Sequence, residues 1–139
     1  MRQAIEDVVT KMFVFNDEHN WEGLASVFAP EVKMLHLLEG NETEHVMTPQ
    51  QIVAAWRPIM EKFQSVHHQI GNMLTTIDND NATVTCYGTS THHKEDPRGN
   101  IWNVVGTYVF KLKQLNGEWK IVDEVFKCKY QSGNLDLVK

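Results

Sequence analysis

Apolar positions recur at helical spacing through the first part of the chain and alternate through the second half. Ile5, Val8, Val9, Met12, Phe13 and Phe15 predict an amphipathic helix over residues 3–18. Trp21 to Phe28 reads as a short second helix, with Asn20 as its N-cap and Pro30 beyond its end. Val32 to Leu38 reads as a strand, and Glu39 to Val46 as a polar loop. Thr48-Pro49-Gln50-Gln51 then opens a third helix, with Thr at the N-cap, Pro at the first helical position and Gln completing a capping box. Ile52, Ala55, Trp56, Ile59, Met60 and Phe63 form its apolar stripe, and Pro58 within the stripe predicts a kink.

From residue 66 onward the period is two. Strands are predicted at 66–77, 82–93, 101–114 and 118–130, with turns at Asp78–Asn81, Asp96–Asn100 and Asn116-Gly117. Trp102, Val104, Gly106, Tyr108, Phe110 and Leu112 share one face of the third of these strands. Helices first and antiparallel strands last predict an α+β fold in one domain over residues 1–139. The expected form is a cone, a strongly curved antiparallel sheet wrapped around the N-terminal helices with a pocket inside.

Composition narrows the function. The chain has 139 residues and a net charge of −5, and its Lys and Arg are scattered singly, which argues against nucleic acid as a partner. No apolar run approaches membrane-spanning length, and the first residues lack the form of a secretory leader. Cys86 and Cys128 fall in separate predicted strands and read as reduced thiols, so a cytoplasmic location is expected. There is no His-Glu-x-x-His, no paired Cys-x-x-Cys, no glycine-rich phosphate loop and no Gly-x-Ser-x-Gly elbow. The expectation is therefore no metal and no organic cofactor.

Several polar residues fall on apolar faces. Strict alternation puts His68 with Val66, Ile70 and Leu74, and His67 on the other side with Gln69. An inward histidine is either a general base or a packed core residue. Asp17 stands near the end of the first helix, where the helix dipole disfavours a carboxylate; it is either a functional group or a turn residue. Asn16 is an inward polar group of the same helix, a candidate ligand contact. His36 alternates with Val32, Met34 and Leu38, and Trp56 lies on the third helix's stripe; each is pocket wall or core. Tyr108 is either a hydrogen-bond donor to a ligand or a sheet aromatic bonded to backbone.

Three stretches together carry a family likeness. They are Asp17-Glu18-His19-Asn20-Trp21-Glu22-Gly23-Leu24 with Phe28-Ala29-Pro30-Glu31-Val32; His68-x-x-x-Asn72 with Asp78-Asn79-Asp80-Asn81-Ala82; and Gly106-x-Tyr108 with Asn116-Gly117-Glu118-Trp119-Lys120-Ile121. The pattern resembles the SnoaL-like branch of the nuclear-transport-factor-2-like superfamily, and within it the scytalone dehydratase-like proteins and the related dehydrochlorinase. The resemblance implies that Asp17 orients His68 as a general base and that His93 is a second catalytic histidine. Alternation alone puts His92, with Val84, Cys86 and Gly88, on the more apolar face instead; a bulge near Gly88 would reconcile the two. The family's two carbonyl-activating tyrosines match Asn16 and His36, and the dehydrochlorinase's lysine matches Met12, so scytalone and halogenated substrates are disfavoured.

The implied function is a cofactor-independent lyase or isomerase acting on a small, largely apolar carbonyl or hydroxy compound held in the cone. The rival is a non-catalytic ligand-binding or assembly module, and a third reading is a dioxygenase small subunit. A homodimer is expected, with a trimer as the alternative, paired through an outer sheet face covered by aromatic residues of strands 101–114 and 118–130.

Overall fold

In the structure, a computed structural model that describes residues 1–38 and 42–139, the chain begins with a helix, α1 (Arg2–Asp17). Ile5, Val9, Met12, Phe13 and Asn16 are its buried residues, one face at helical spacing. It ends in a Schellman turn: His19 takes the left-handed conformation (φ 57°), its N–H donates to the Asn16 carbonyl, and the Asn20 N–H donates to that of Phe15. That sharp stop fixes Asp17 as the last helical residue. The Asn20 side chain then caps α2 (Trp21–Ser26) by accepting from the Gly23 N–H.

β1 (Phe28–Leu37) starts earlier than the sequence pattern predicts, because Phe28 and Ala29 are buried against the sheet rather than ending a helix. Within the predicted polar loop, residues 39–41 lie outside the described residues, and His45–Met47 form a short strand, β2, on the edge of β1. α3 (Pro49–Met60) opens with the expected reciprocal Thr48–Gln51 capping box and ends two residues after Pro58. Of its predicted stripe, Ile52 is buried in the core, as is Phe63 just beyond the helix end; Trp56 and Met60 are half-buried, and Ala55 and Ile59 exposed, because this helix borders a cavity.

Four long strands follow: β3 (Ser65–Asp78), β4 (Asn81–His93), β5 (Ile101–Leu115) and β6 (Glu118–Gly133). Among the described residues the strands form one sheet in the order β2-β1-β6-β5-β4-β3. All neighbours are antiparallel except β1 and β6, which are parallel and are joined through β2, α3 and the three strands β3 to β5. The sheet curves around α1, and the core fills the space between them.

Register shifts set the curvature and correct several assignments of face. β3 carries one between Gly71 and Leu74, where Asn72 takes φ 55°. The extra residue reverses side-chain parity, so Leu74 is 73% exposed instead of sharing the inner face with His68, and Thr75 turns inward to donate to Glu6 of α1. β4 pairs with β5 without any shift, so β4 itself carries no bulge at Gly88. Gly88 serves another purpose: a Cβ there would lie 2.6 Å from the ring of Tyr108, so the glycine lets that ring rest on the floor of the sheet. The aromatic residues expected on the outer face are mostly inside. Trp102, Tyr108, Phe110, Trp119 and Phe126 are buried, and Tyr130 and Tyr87 are the large rings exposed outside.

Candidate active site

Between the concave face of the sheet, α1, α3 and the segment after β6 lies a cavity of about 740 Å3. Its walls are largely apolar, from Met12 and Phe13 of α1, Trp56 and Met60 of α3, and Trp102 and Phe126 of the sheet. Leu135 and Val138 close part of its rim, held by the fully buried Leu137 and by Lys62 and Lys94, whose ammonium groups donate to the carbonyls of Val138 and Leu137. Among the described residues no helix is long and apolar enough to cross a membrane.

The cavity gathers its polar groups from distant parts of the chain. Asp17 at the end of α1 meets His68 on β3, with Nδ1 of His68 2.6 Å from Oδ1 of the carboxylate. The backbone N–H of His68 donates to the other carboxylate oxygen at 2.8 Å, so both oxygens are fixed by one residue. Because the carboxylate accepts, Nδ1 carries the proton and Nε2 is left as a lone pair. His68 lines the cavity, whereas Asp17 stands behind it. Phe13 packs on the imidazole with ring centroids 5.1 Å apart.

The second histidine in the wall is His92 and not His93. Uninterrupted alternation along β4 turns Ser90 and His92 inward, while His93, half-buried opposite Ser65 and Ile101, faces away from the cavity. His92 is 4% exposed, stacks on Trp102 and donates Nδ1–H to the Trp102 carbonyl at 3.0 Å. Burial, with a smaller push from the nearby His68, lowers its pKa to about 4, even though that backbone hydrogen bond favours the charged form. It is therefore a neutral imidazole near pH 7, with Nε2 as an acceptor.

Tyr108 lies between the histidines of β3–β4 and the strands β6 and β1, and Ser90 lines the same part of the cavity. Burial, reinforced by the charge of Glu124, raises its pKa far above the ordinary value, so the phenol keeps its proton. The same two causes push the Cys86 thiol up to about 12, which leaves it unreactive.

Asn16, His36 and Trp56 all line the cavity. His36 brings a partner that sequence patterning missed. Its Nε2 lies 2.5 Å from Oε2 of Glu124, a carboxylate only 1% exposed on β6. Burial pulls the pKa of His36 down, but the hydrogen bond and charge of Glu124 outweigh it and leave it raised. Alternation from Trp119 and Ile121 would have placed Asp123 inward and Glu124 outward. A register shift between Lys111 and Leu112 of β5 inserts an extra β6 residue and reverses the parity. The signal was the odd separation of Ile121 and Phe126, which cannot both face inward without a bulge between them. Among the described residues no cluster of His, Cys, Asp and Glu is arranged to hold a metal ion.

Residues 1–123 match the family model of the SnoaL-like domain. The fold is shared with the Kfla4162 protein of Kribbella flavida, with a TM-score of 0.90 at 21% identity over 99% of this chain and 95% of that one. A candidate scytalone dehydratase from Novosphingobium aromaticivorans superposes with a TM-score of 0.79 at 18% identity, over 94% and 85% of the two chains. The type 3 hexachlorocyclohexane dehydrochlorinase of Novosphingobium barchaimii gives 0.80 at 14% identity, over 97% and 90%. At these identities the likeness is one of fold. No curated protein matches the sequence.

Proposed function

We propose that this chain, which belongs to the SnoaL-like domain family, is a cofactor-independent lyase or isomerase for a small, largely apolar carbonyl or hydroxy compound. The observation that carries the reading is the Asp17–His68 pair, 2.6 Å between Nδ1 and Oδ1, in the wall of a cavity that side chains leave open. A cavity of about 740 Å3 falls within the range of small-molecule sites, roughly 300–1,000 Å3, whereas a purely assembling module has no use for it.

The chemistry follows from the tautomer. His68 Nε2 removes a proton from the carbon beside a carbonyl, and Asp17 accepts the Nδ1–H and stabilises the imidazolium that forms. Tyr108, held as a phenol, donates to the oxygen on which negative charge develops. His92 cannot be that donor, because its single proton is committed to the Trp102 carbonyl. His68 then returns the proton to a different carbon, which is isomerisation, or to a departing hydroxyl, which is dehydration. The apolar wall keeps water from the intermediate.

Proton abstraction can be tested without knowing the physiological substrate. Cyclohexanone, 1-tetralone and 2-decalone are incubated with the protein in deuterium oxide, and exchange at the α-carbon is followed by proton NMR. The wild type should accelerate exchange of at least one ketone above buffer. His68→Gln should abolish that acceleration, and Asp17→Asn should reduce it by about 10²–10⁴-fold, the usual worth of a positioned base and its tautomer control. Exchange that proceeds equally in His68→Gln, or in none of the ketones, would sink the catalytic reading in favour of simple ligand binding.

A further inference from the structure

We propose that His36 is a second catalytic residue of the cavity, a general acid that gives its Nδ1 proton to the carbonyl oxygen of the compound handled at His68, with Glu124 as its positioning residue; the assignment rests on the reading above. His36 stands in the cavity wall on β1, and its Nε2 lies 2.5 Å from Oε2 of Glu124 on β6. Glu124 is 1% exposed, bonds to His36 through Oε2 and leaves Oε1 without a hydrogen bond. A carboxylate buried in this way has forfeited its hydration and is tolerated when a cation balances it. The imidazole in contact with it is the group that can do so. Glu124 thus holds His36 as an imidazolium, with Nε2–H donated to the carboxylate and Nδ1–H left for a ligand. Among the described residues Nδ1 has no hydrogen-bond partner.

The other ionisable groups of the wall are committed elsewhere. Asp17 fixes His68 as the base, and His92 is a neutral imidazole whose single proton goes to the Trp102 carbonyl. Lys139 is paired with Asp136. Burial holds the Tyr108 phenol far above its ordinary pKa, so it donates a hydrogen bond and keeps its proton. A hydrogen bond alone leaves an enolate, whereas a transferred proton gives a neutral enol, which an apolar cavity holds at far lower cost. His36 can make that transfer. Burial pulls its pKa down, Glu124 raises it further, and the imidazolium that results at neutral pH is still able to release its proton. The rings packed on His36 are those of Trp56 on α3 and Phe126 on β6, both uncharged, so Glu124 is the charge that sets its proton affinity.

Tyr108 stands between the Asp17–His68 and Glu124–His36 pairs. Its phenol feels the charge of Glu124 and, more weakly, that of Asp17. Its ring touches Phe13, which packs on His68, and Phe126, which packs on His36. A ketone resting on Tyr108 has the base of β3 on one side and the acid of β1 on the other. His68 Nε2 takes the proton of the α-carbon, and the C–H electron pair becomes the C=C bond. The π pair of the carbonyl then forms the O–H bond with the proton leaving His36 Nδ1. The products are an enol, an imidazolium at His68 and a neutral His36, and the reverse transfers restore the ketone.

The pH dependence of the deuterium exchange tests this, with the buffer rate subtracted. The wild type should lose activity on the alkaline side, as His36 gives up the proton it must donate. His36→Gln should exchange about 10²-fold more slowly and lack that alkaline limb. Glu124→Gln should move the limb to lower pH, since burial still lowers the pKa of His36 and the opposing carboxylate is gone. A merely structural role would leave the limb in place. Independently of turnover, 1-tetralone should shift the Nδ1 resonance of His36 in protein carrying isotope-labelled histidine, and should do so in His68→Gln as well. The proposal is overturned by exchange in His36→Gln at the wild-type rate, by an unmoved limb in Glu124→Gln, or by a His36 resonance that the ketone leaves unchanged. Should Glu124→Gln fail to fold by circular dichroism, His36→Gln and the resonance decide. Exchange absent from the wild type, or undiminished in His68→Gln, sinks the catalytic reading and this role with it. Failure of the present assignment alone is seen when His68→Gln abolishes exchange and His36→Gln does not slow it.

Discussion

Burial lowers the pKa of both His92 and His36, but the net shifts run opposite ways because of the two only His36 has a carboxylate against its ring. His92 has a backbone carbonyl, a stacked indole and His68 nearby, so its folded pKa sits at about 4, below the ordinary value. The unfolded chain therefore binds the extra proton between about pH 6.5 and 4, and stability drains away as pH falls through that window. The loss attributable to this residue is of order 3 kcal/mol, reached near pH 4. His36 runs the other way. Its raised pKa contributes stability that is complete below the unfolded value and is lost as pH rises through the folded one. Urea unfolding from pH 4.5 to 8.5 should show His92→Gln with a flatter acid limb than the wild type, and His36→Gln with a flatter alkaline limb. Parallel curves for all three proteins would show that neither residue is held as described. The residue scale is also where the sequence was hardest to read. Asp17, Asn16 and His68 could be picked out because a polar group on an apolar helix face or strand face is visible to periodicity. Glu124 could not, since its face depends on a bulge; between His92 and His93 the family position and plain alternation disagree, and the unshifted pairing of β4 with β5 follows alternation.

Glycine spacing, bulges and caps decide at the level of elements which side chains reach the cavity. α1 was legible to its last turn, because its apolar stripe and the Asn20 cap are local signals. The Asn116-Gly117 turn was legible for the same reason, with both residues at positive φ as a tight hairpin needs. Strand faces were legible only as far as the next bulge, since bulges answer to curvature of the whole sheet and leave weak local marks. β4 is unbroken, and its inward Gly88 accommodates the Tyr108 ring at a distance where a methyl group would meet Cε2 at 2.6 Å. Gly88→Ala should therefore destabilise the protein by about 1–3 kcal/mol, as overpacking does, and weaken binding of aromatic ligands by displacing Tyr108. Gly71→Ala is the control, because nothing lies within 4 Å of a Cβ there. Thermal unfolding with Gly88→Ala no worse than Gly71→Ala would remove this account of the glycine.

Curvature of the entire sheet makes the site possible. On a flat sheet at about 4.8 Å per strand, His36 on β1 and His68 on β3 would stand nearly 20 Å apart; here both line one cavity. The same bending leaves a convex face whose content differs from the one read in the sequence. It carries Thr85, Thr89 and Thr91 of β4 and Val105, Thr107 and Val109 of β5, all half-buried, with Tyr87 and Tyr130 exposed near them. Lys129 lies over the ring of Tyr87 at 3.8 Å, which keeps the cation toward the edge of this patch. A centre of β-branched, uncharged side chains with aromatic anchors at its border has the composition of a protein interface. We propose that two copies pair through it, burying roughly 1,600 Å2 in total. Sedimentation equilibrium at micromolar concentration should then give twice the chain mass of 16.0 kDa. Thr107→Arg would place a charge in the middle of the buried patch and should shift the species to the monomer without affecting deuterium exchange, since the side chain lies on the face opposite the cavity. A wild-type monomer, or a Thr107→Arg dimer of undiminished affinity, would show that this face is simply solvated.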